Sequence, residues 1–519
     1  MMGRAAKRRG ISITVRERGT FLLGLDAGNT VVKAVLFDAA GRQLAWHAVD
    51  GATHKPGPGM VERSVPELWE NAQVAIAGCI ERAGVDPRDI AAIGTAGHGN
   101  GLYLLDPEGQ ALIGIQSLDT RAASLAEELD ARIGGKVHAI SLQRPWPSQT
   151  LVLLAWVKRH LPEVYARAAT VLFAKDVLTW KLTGERISEI SDMSGAGVLR
   201  LPECRYDQEL LELHGLGDAW RLLPPLHLPT DRIGAVTLEA ARATGLAEGT
   251  PVFAGYFDVV ASALGSGVAR DGEASIVAGS WSINQVFSRE PVRDERVFMV
   301  AAYGPGRFVN MDNSATSCAN LEWYVRTLIE RDGYAGDPFA LVDDLVGKTT
   351  PAPNDPLFHP FLYGGRLGAH FRGGFFGLAG WHTEGHMLRA VLEGVMFEHR
   401  RHVEVLKQAG VAFSRAILSG GGSRSPHWPQ IFADGLGSEI SVAESRETGA
   451  LGAAMGAAVG VGMYGDVEKA VAAMARLAAT YRPDPAMRAH YDRRYSLWTR
   501  LNAALDPFWR EFARCGAVA

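Results

Sequence analysis

Two stretches far apart in the chain open in the same way, and together they set the architecture. From Thr20 the sequence runs TFLLGLDAGNTVVKAVLFDAAGRQLAWHAV, three apolar, β-branched segments separated by the turn-formers Ala27-Gly28-Asn29 and Asp38-Ala39-Ala40-Gly41. This predicts a three-strand meander. In the following PELWENAQVAIAGCIERAG, Leu68, Ala72, Ala75, Ile76, Cys79, Ile80 and Ala83 recur at three- and four-residue steps up to Gly84, which predicts an amphipathic helix. A strand is expected at Ala91 to Thr95. After Gly267 the stretch EASIVAGSWSINQVFSREP starts again, with two strand-like runs joined by a tight Gly-Ser turn, and long helical patterns follow, notably Met387 to Gly410. Strands and helices alternating in this manner give an α/β fold. The simplest partition is two lobes of similar plan, residues 20–268 and 269–519, joined by a hinge, since no short-period repeat or low-complexity tether separates them.

Composition removes several alternatives. Lys plus Arg number 53 and Asp plus Glu 57, a net charge of −4, and 47% of the 519 residues are hydrophobic. That balance belongs to a folded globular chain of two to four domains and not to a disordered chain or a coat for nucleic acid. The four cysteines, Cys79, Cys204, Cys318 and Cys515, form no Cys-x-x-Cys pair, so neither a zinc cage nor a disulfide framework is indicated and a cytoplasmic location is expected. No apolar run approaches the roughly 18 residues of a spanning helix, so no membrane partner is expected. Residues 1–19 are basic with no apolar segment behind them and read as a disordered tail.

Four motifs carry chemistry. In Asp26-Ala27-Gly28-Asn29-Thr30-Val31-Val32-Lys33 a Gly hairpin lets backbone N–H groups approach a polyphosphate, while the Asp beside it can hold Mg²⁺ directly or through water; the competing reading is an ordinary solvated hairpin. Gly279-Ser280-Trp281-Ser282 places a similar turn in the second lobe, and two such hairpins facing across a cleft could clamp one triphosphate. Leu418-Ser419-Gly420-Gly421-Gly422-Ser423-Arg424-Ser425-Pro426 follows a strand-like run and leads into a helix, a geometry that admits a nucleotide against the backbone. Farther on, Glu447 to Ala454 forms a small-residue helix, read either as close helix packing or as an adenine-facing wall. Finally, Asp258 heads the apolar segment Val259 to Gly267 at the lobe boundary, where it could take a proton from a substrate hydroxyl or simply cap a helix.

Taken together these residues resemble the FGGY carbohydrate kinases of the actin-like superfamily. Gly373-Gly374-Phe375-Phe376-Gly377-Leu378, followed after seven residues by His386-Met387-Leu388-Arg389-Ala390-Val391-Leu392-Glu393, is similar to that family's C-terminal signature, and the resemblance runs from about Phe21 to Arg510. It implies two actin-like, ribonuclease H-like lobes around an interlobe cleft, with the first lobe binding sugar and the second nucleotide. It further implies ATP and Mg²⁺, with Asp26 positioning the metal and Gly28, Asn29, Thr30 and Lys33 near the terminal phosphates. Gly279 and Ser280 would face the γ-phosphate, Gly421, Gly422, Ser425 and Ala450 would line the nucleoside pocket, and Asp258 would be the general base. Two departures stand out: Asn29 and Ser280 occupy positions where the family commonly has Thr.

At the sugar end, Gly57-Pro58-Gly59-Met60-Val61-Glu62-Arg63 is similar to the family's Gly-Trp-Val-Glu segment, with Met60 where Trp is usual. Thr95 to Leu102, containing His98, and Ser117 to Ala122, containing Asp119 and Arg121, resemble xylulose kinases, which implies that His98, Asp119, Arg121 and Glu62 touch the acceptor. Phe257-Asp258-Val259-Val260, Asn320-Leu321-Glu322-Trp323 and Pro360-Phe361-Leu362-Tyr363-Gly364 look nearest to the L-xylulose-type branch. The expectation is therefore an ATP-dependent kinase of a small ketose, a pentulose such as xylulose, in carbohydrate catabolism. The alternatives are a kinase for ribulose, a polyol or a signalling sugar, an actin-like regulatory ATPase, or a sugar sensor without activity. A small sugar is the expected partner, nucleic acid is not, and a homodimer is left open.

Overall fold

The computed structural model describes residues 20–330 and 333–516; the tail expected at 1–19 lies outside the described residues. Two seven-stranded sheets organise it. The strands that matter are β1 (Phe21–Ala27), β2 (Val31–Asp38), β3 (Gln43–Asp50), β4 (Ile90–Gly97), β5 (Arg232–Ala235) and β6 (Pro251–Phe253) in the first sheet. The second holds β7 (Ala274–Ala278), β8 (Ser282–Ser288), β9 (Met299–Gly304), β10 (Arg307–Ser314), β11 (Arg415–Ser419), β12 (Glu439–Ala443) and β13 (Leu477–Tyr481).

The first sheet runs in the order β5-β6-β4-β1-β2-β3 and the second β9-β10-β8-β7-β11-β12-β13. In each, a hairpin (β1–β2, β7–β8) is followed outward by an antiparallel neighbour, while its first strand pairs in parallel with a strand from much later in the chain. The two sheets thus repeat one plan, which is the two-lobed α/β architecture expected from the paired meanders. Their central strands have few exposed positions because helices cover both faces, and their sequences are correspondingly apolar throughout.

Seven helices bear on the cleft: α1 (Val65–Ala83), α2 (Ala174–Thr183), α3 (Ile190–Gly195), α4 (Asp258–Ser266), α5 (Glu384–Gln408), α6 (Trp428–Leu436) and α7 (Thr448–Gly460). α1 shows how local sequence sets these boundaries. Ser64 accepts a hydrogen bond from the Glu67 N–H, a proline lies in the first turn, and Gly84 ends the helix at φ 63°, a left-handed conformation that glycine adopts without a Cβ penalty. Its buried face comprises Val65, Leu68, Ala72, Ala75, Ile76 and Cys79, five of them in the stripe read from the periodicity, whose last two members, Ile80 and Ala83, are only partly buried near the helix end.

The chain crosses between lobes through α4 and α7. Although α7 follows β12 of the second sheet, it packs on α4, β4 and β1 of the first. A Cβ at Gly24 would lie 2.0 Å from the Ala450 carbonyl oxygen, and one at Gly452 would lie 1.9 Å from that of Ala261, so only glycines permit this backbone-to-backbone approach. Of the two readings offered for Glu447 to Ala454, the structure selects close helix packing. Among the described residues no helix is long and apolar enough to cross a membrane.

Candidate active site

Strand β4 gathers the first-lobe site at its C-terminal end. In the β1–β4 register Asp26 lies opposite Ala96 and Ala27 opposite Gly97, while on the other side Tyr256 and Phe257 pair with the same Ala96 and Gly97. Asp26 and Asp258 therefore flank one strand end, and His98 follows Gly97 at that end, its backbone N–H bonded to the Ala27 carbonyl at 3.0 Å. Open α/β sheets place ligands outside the carboxyl ends of their parallel strands for this reason.

Both carboxylates are perturbed, and Asp26 acts on Asp258. Burial first, and the Asp26 charge second, push Asp258 from 3.8 up to about 8, against a smaller opposing effect of the Val259 N–H. Burial also raises Asp26 to about 6, with Lys33 lowering it and Glu447 raising it. Helix α4 takes Phe257 as its cap residue, so the Asp258 carboxylate is not used as an N-cap acceptor. A pair of acids held near one another at this cost is a site short of positive charge, which suits a divalent cation. No group of three or more His, Cys, Asp or Glu that could hold a metal occurs among the described residues. Mg²⁺ is commonly bound through one or two carboxylates together with phosphates and water, and Asp26 with its neighbour Asp258 has the chemistry of the carboxylate part of such a set.

Other first-lobe residues are engaged among themselves. Lys33 reaches across the lobes to Glu447, its Nζ 2.8 Å from Oε2. The Asn29 side-chain amide donates one hydrogen bond to Ser117 Oγ at 3.0 Å, which orders the turn and leaves its second N–H uncommitted. The Gly28 N–H bonds the Val31 carbonyl at 3.0 Å and closes the turn, while Thr30 is exposed. Arg121 donates to Asp119 at 2.9 and 3.0 Å and to Glu62 at 2.7 Å, and Asp119 also accepts the Val61 N–H at 2.6 Å. Asp119, Arg121 and Glu62 are thus brought together as expected, but as a mutually satisfied cluster that ties the 57–62 loop to the 117–121 loop.

His98 differs. It is buried, its Nε2 lies 3.1 Å from the Tyr103 hydroxyl, and its Nδ1 has no protein partner. Burial, reinforced by Arg63, holds its pKa down at about 3, so the ring is neutral at physiological pH. A buried ring nitrogen without a partner is rare and is normally satisfied by water or ligand.

In the second lobe, two glycine turns meet because β7 and β11 are parallel neighbours. Val277 pairs with Ser419, and a Cβ at Gly420 would lie 2.7 Å from the Ala278 carbonyl oxygen. Ser280 stands exposed at the tip of the β7–β8 turn, and the Gly279 carbonyl accepts the Cys318 N–H at 2.8 Å. Beside these turns opens a cavity of about 510 Å³. Gly421, Gly422 and Ser425 line it, together with Leu321, Phe339, Val342 and the ring of Trp428. Its apolar walls and the acids Glu322, Asp337 and Asp343 at its edge are suited to a nucleoside, base between the walls and ribose toward the acids. Ser425 Oγ donates to Asp343 at 2.7 Å. Ala450 is not part of this lining: it is buried against β1, as the close packing of α7 on Gly24 requires, and its expected place in the pocket is corrected accordingly.

Sequence reading did not single out Phe339, Val342 or Trp428, and it named Leu321 only within a branch-like motif, not as a pocket wall; the four come from three separate segments, Phe339 and Val342 sharing the helix Pro338–Gly347. Only Trp428, just after Ser425-Pro426-His427, carried a local signal. It also missed Lys175, Glu189, Ser191 and Asp192, a polar set buried behind Asp258. Charged residues inside the otherwise apolar run Phe173 to Leu178 were the available clue.

Two sheets of one repeated plan, glycine turns after β1, β7 and β11, and an acid pair beside the end of β4 are the features of a phosphotransferase of the actin-like type. The N-terminal domain model of the FGGY family of carbohydrate kinases matches residues 21–265 and the C-terminal domain model matches 274–461, so the chain belongs to that family and is a carbohydrate kinase. It is 33% identical to a probable L-xylulose kinase of Pasteurella multocida over 93% of this chain and 99% of that one. It is 32% identical to the L-xylulose/3-keto-L-gulonate kinase of Escherichia coli, over 94% and 98% of the respective chains. The crystal structure of a xylulose kinase from Rhodospirillum rubrum superposes with a TM-score of 0.86 at 30% identity, covering 94% of this chain and all of that one, 100%.

Proposed function

We propose that this kinase transfers the γ-phosphoryl group of ATP to a hydroxyl of a small ketose, a pentulose such as xylulose, as a step of sugar catabolism in the cytoplasm. The observation that carries the reading is the placement of Asp26, His98 and Asp258 around one strand end. Asp258 accepts the proton of the attacking hydroxyl. His98, neutral and with Nδ1 free, holds a neighbouring hydroxyl of the acceptor, and the Glu62–Asp119–Arg121 cluster frames that end of the pocket. Asp26 would hold Mg²⁺, which when bound with ATP would neutralise phosphate charge during the transfer. Gly28, Thr30, Gly279 and Ser280 bring turns to the phosphates from the two sides of the cleft, Asn29 orders its turn through Ser117, and Lys33 meets the second lobe through Glu447. Gly421, Gly422 and Ser425 seat the nucleoside. On this reading residues 20–268 form the sugar-binding lobe and 269–519 the nucleotide-binding lobe, apart from α7, which packs on the first sheet.

Phosphoryl transfer asks the protein chiefly for in-line positioning and charge stabilisation, and these parts suffice for it. The similarity to L-xylulose and xylulose kinases favours a pentulose over a polyol or a signalling sugar. A coupled ADP-release screen over pentuloses, hexuloses and polyols tests the assignment: turnover on a pentulose at least tenfold above every other class supports it, and turnover confined to polyols or absent on every sugar refutes it. Light scattering on the purified protein reads whether it pairs with a second copy.

A further inference from the structure

Behind the strand end that carries the acceptor and base residues lies a charged cluster with no exposure at all. Lys175, in the first turn of α2, has its Nζ 2.5 Å from Asp176 Oδ1, 3.1 Å from Asp192 Oδ2 and 3.3 Å from Glu189 Oε1, and all four side chains are fully buried. One ammonium against three acids cannot be fully balanced. Burial raises the Glu189 and Asp192 carboxyls, Asp192 well above the usual range, with Lys175 opposing the rise in both. Buried ion clusters of this kind are weak stabilisers compared with apolar residues of similar volume, so stability alone does not account for one.

Its contacts lead to the site from two directions. Glu189 Oε1 accepts the Ser191 hydroxyl at 2.8 Å, and the same hydroxyl oxygen accepts the N–H of Phe257 at 2.9 Å. Phe257 is the residue before Asp258. On the other side, a Cβ at Gly97 would lie 2.8 Å from the Lys175 backbone nitrogen, and one at Gly99 would lie 2.6 Å from Asp192 Oδ1 and 2.7 Å from the Phe257 ring. The two glycines that bracket His98 are therefore seated on the same cluster that tethers the Asp258 turn.

We propose that Lys175, Glu189 and Ser191 are positioning residues for phosphoryl transfer: the buried ammonium organises Glu189, Glu189 orients the Ser191 hydroxyl, and that hydroxyl fixes the turn presenting Asp258 relative to His98. The proposal rests on Asp258 being the general base. A base must lie within hydrogen-bond reach of the proton it removes, and a displacement of about 1 Å in a positioning element can lower the rate about a hundredfold.

A double-mutant cycle tests it. S191A should lower kcat on the acceptor sugar about tenfold, with the KM for ATP within twofold of wild type. In a D258N background the same substitution should change kcat by less than twofold, because no base is left to misplace. E189Q keeps the side-chain shape and one of the two cap oxygens while removing the charge to which Ser191 donates. It should lower kcat about three- to tenfold, again only when Asp258 is present, and it decides the matter if S191A does not fold. Equal losses in both backgrounds, or no loss in the wild-type background, would overturn the proposal and leave Asp258 as the base. A D258N variant with near wild-type turnover would overturn the base assignment itself, and this proposal with it.

Discussion

Replacing Asp258 by Asn separates its chemical role from its electrostatic cost. Asp258 is raised from 3.8 to about 8 by burial and by Asp26, so in the free protein its ionised form is disfavoured. At 1.36 kcal/mol per pKa unit the full shift would correspond to roughly 5–6 kcal/mol. Asp258 is partly exposed, so solvent screens much of it, and about 2–4 kcal/mol is expected. The sign follows from which state holds the proton. Between pH 4 and 8 the folded protein retains a proton that the unfolded chain has released, so Asp258 contributes stability fully below about pH 4 and loses it as pH rises through about 8. Asn does not titrate. D258N should therefore fall less in stability from pH 5 to pH 9 than wild type, by about 2–4 kcal/mol.

Catalysis should move the other way. Removal of a general base typically costs 10² to 10⁴, so D258N should lose about a hundredfold or more in kcat, with ATP binding retained. In wild type, kcat/KM should rise with pH until Asp258 is ionised, a limb ending near pH 8, and D258N should lack it. Denaturant unfolding at pH 5, 7 and 9 and a coupled ADP-release assay over the same range measure both effects. Near wild-type turnover, or parallel stability-versus-pH curves for the two proteins, would refute the reasoning.

Three further outcomes are expected. D26A should lower turnover and shift the Mg²⁺ requirement upward in a metal titration, since the carboxylate that would hold the cation is gone; unchanged metal dependence would count against its role. H98A removes the ring whose Nδ1 has no protein partner, and at about 1–3 kcal/mol per lost hydrogen bond it should raise the acceptor KM roughly five- to a hundredfold while leaving the KM for ATP in place. R121A strips the buried Asp119 of its cation and should destabilise the fold by about 3–5 kcal/mol in denaturant unfolding, as well as weakening the acceptor. A purely acceptor-directed effect, with stability unchanged, would show that the cluster does not brace the two loops.

The sequence carried a good deal of this by periodicity and turn chemistry, which act over a few residues. The meander of β1 to β3, the stripe on α1, the restart at β7 and the glycine loop after β11 all rest on local patterns, and each element formed where its pattern indicated. Asp258 and Asp26 were legible as candidates because an acid beside a turn at a strand end is a local arrangement. What it does there is not local. Only the shared pairing of β1 and of Tyr256–Phe257 with β4 places the two carboxylates at one strand end, and burial, foremost among the causes, raises both. The same limit explains the corrections. Ala450 reads equally as pocket wall or packing surface until α7 is seen against Gly24. Asn29 reads from its local sequence as a turn residue alone, and only the fold shows that Ser117, far along the chain, holds its side chain. Lys175, Glu189 and Ser191 gave no motif, because one ammonium can bind acids from separate segments only after the fold has brought them together, and burial then makes that contact matter.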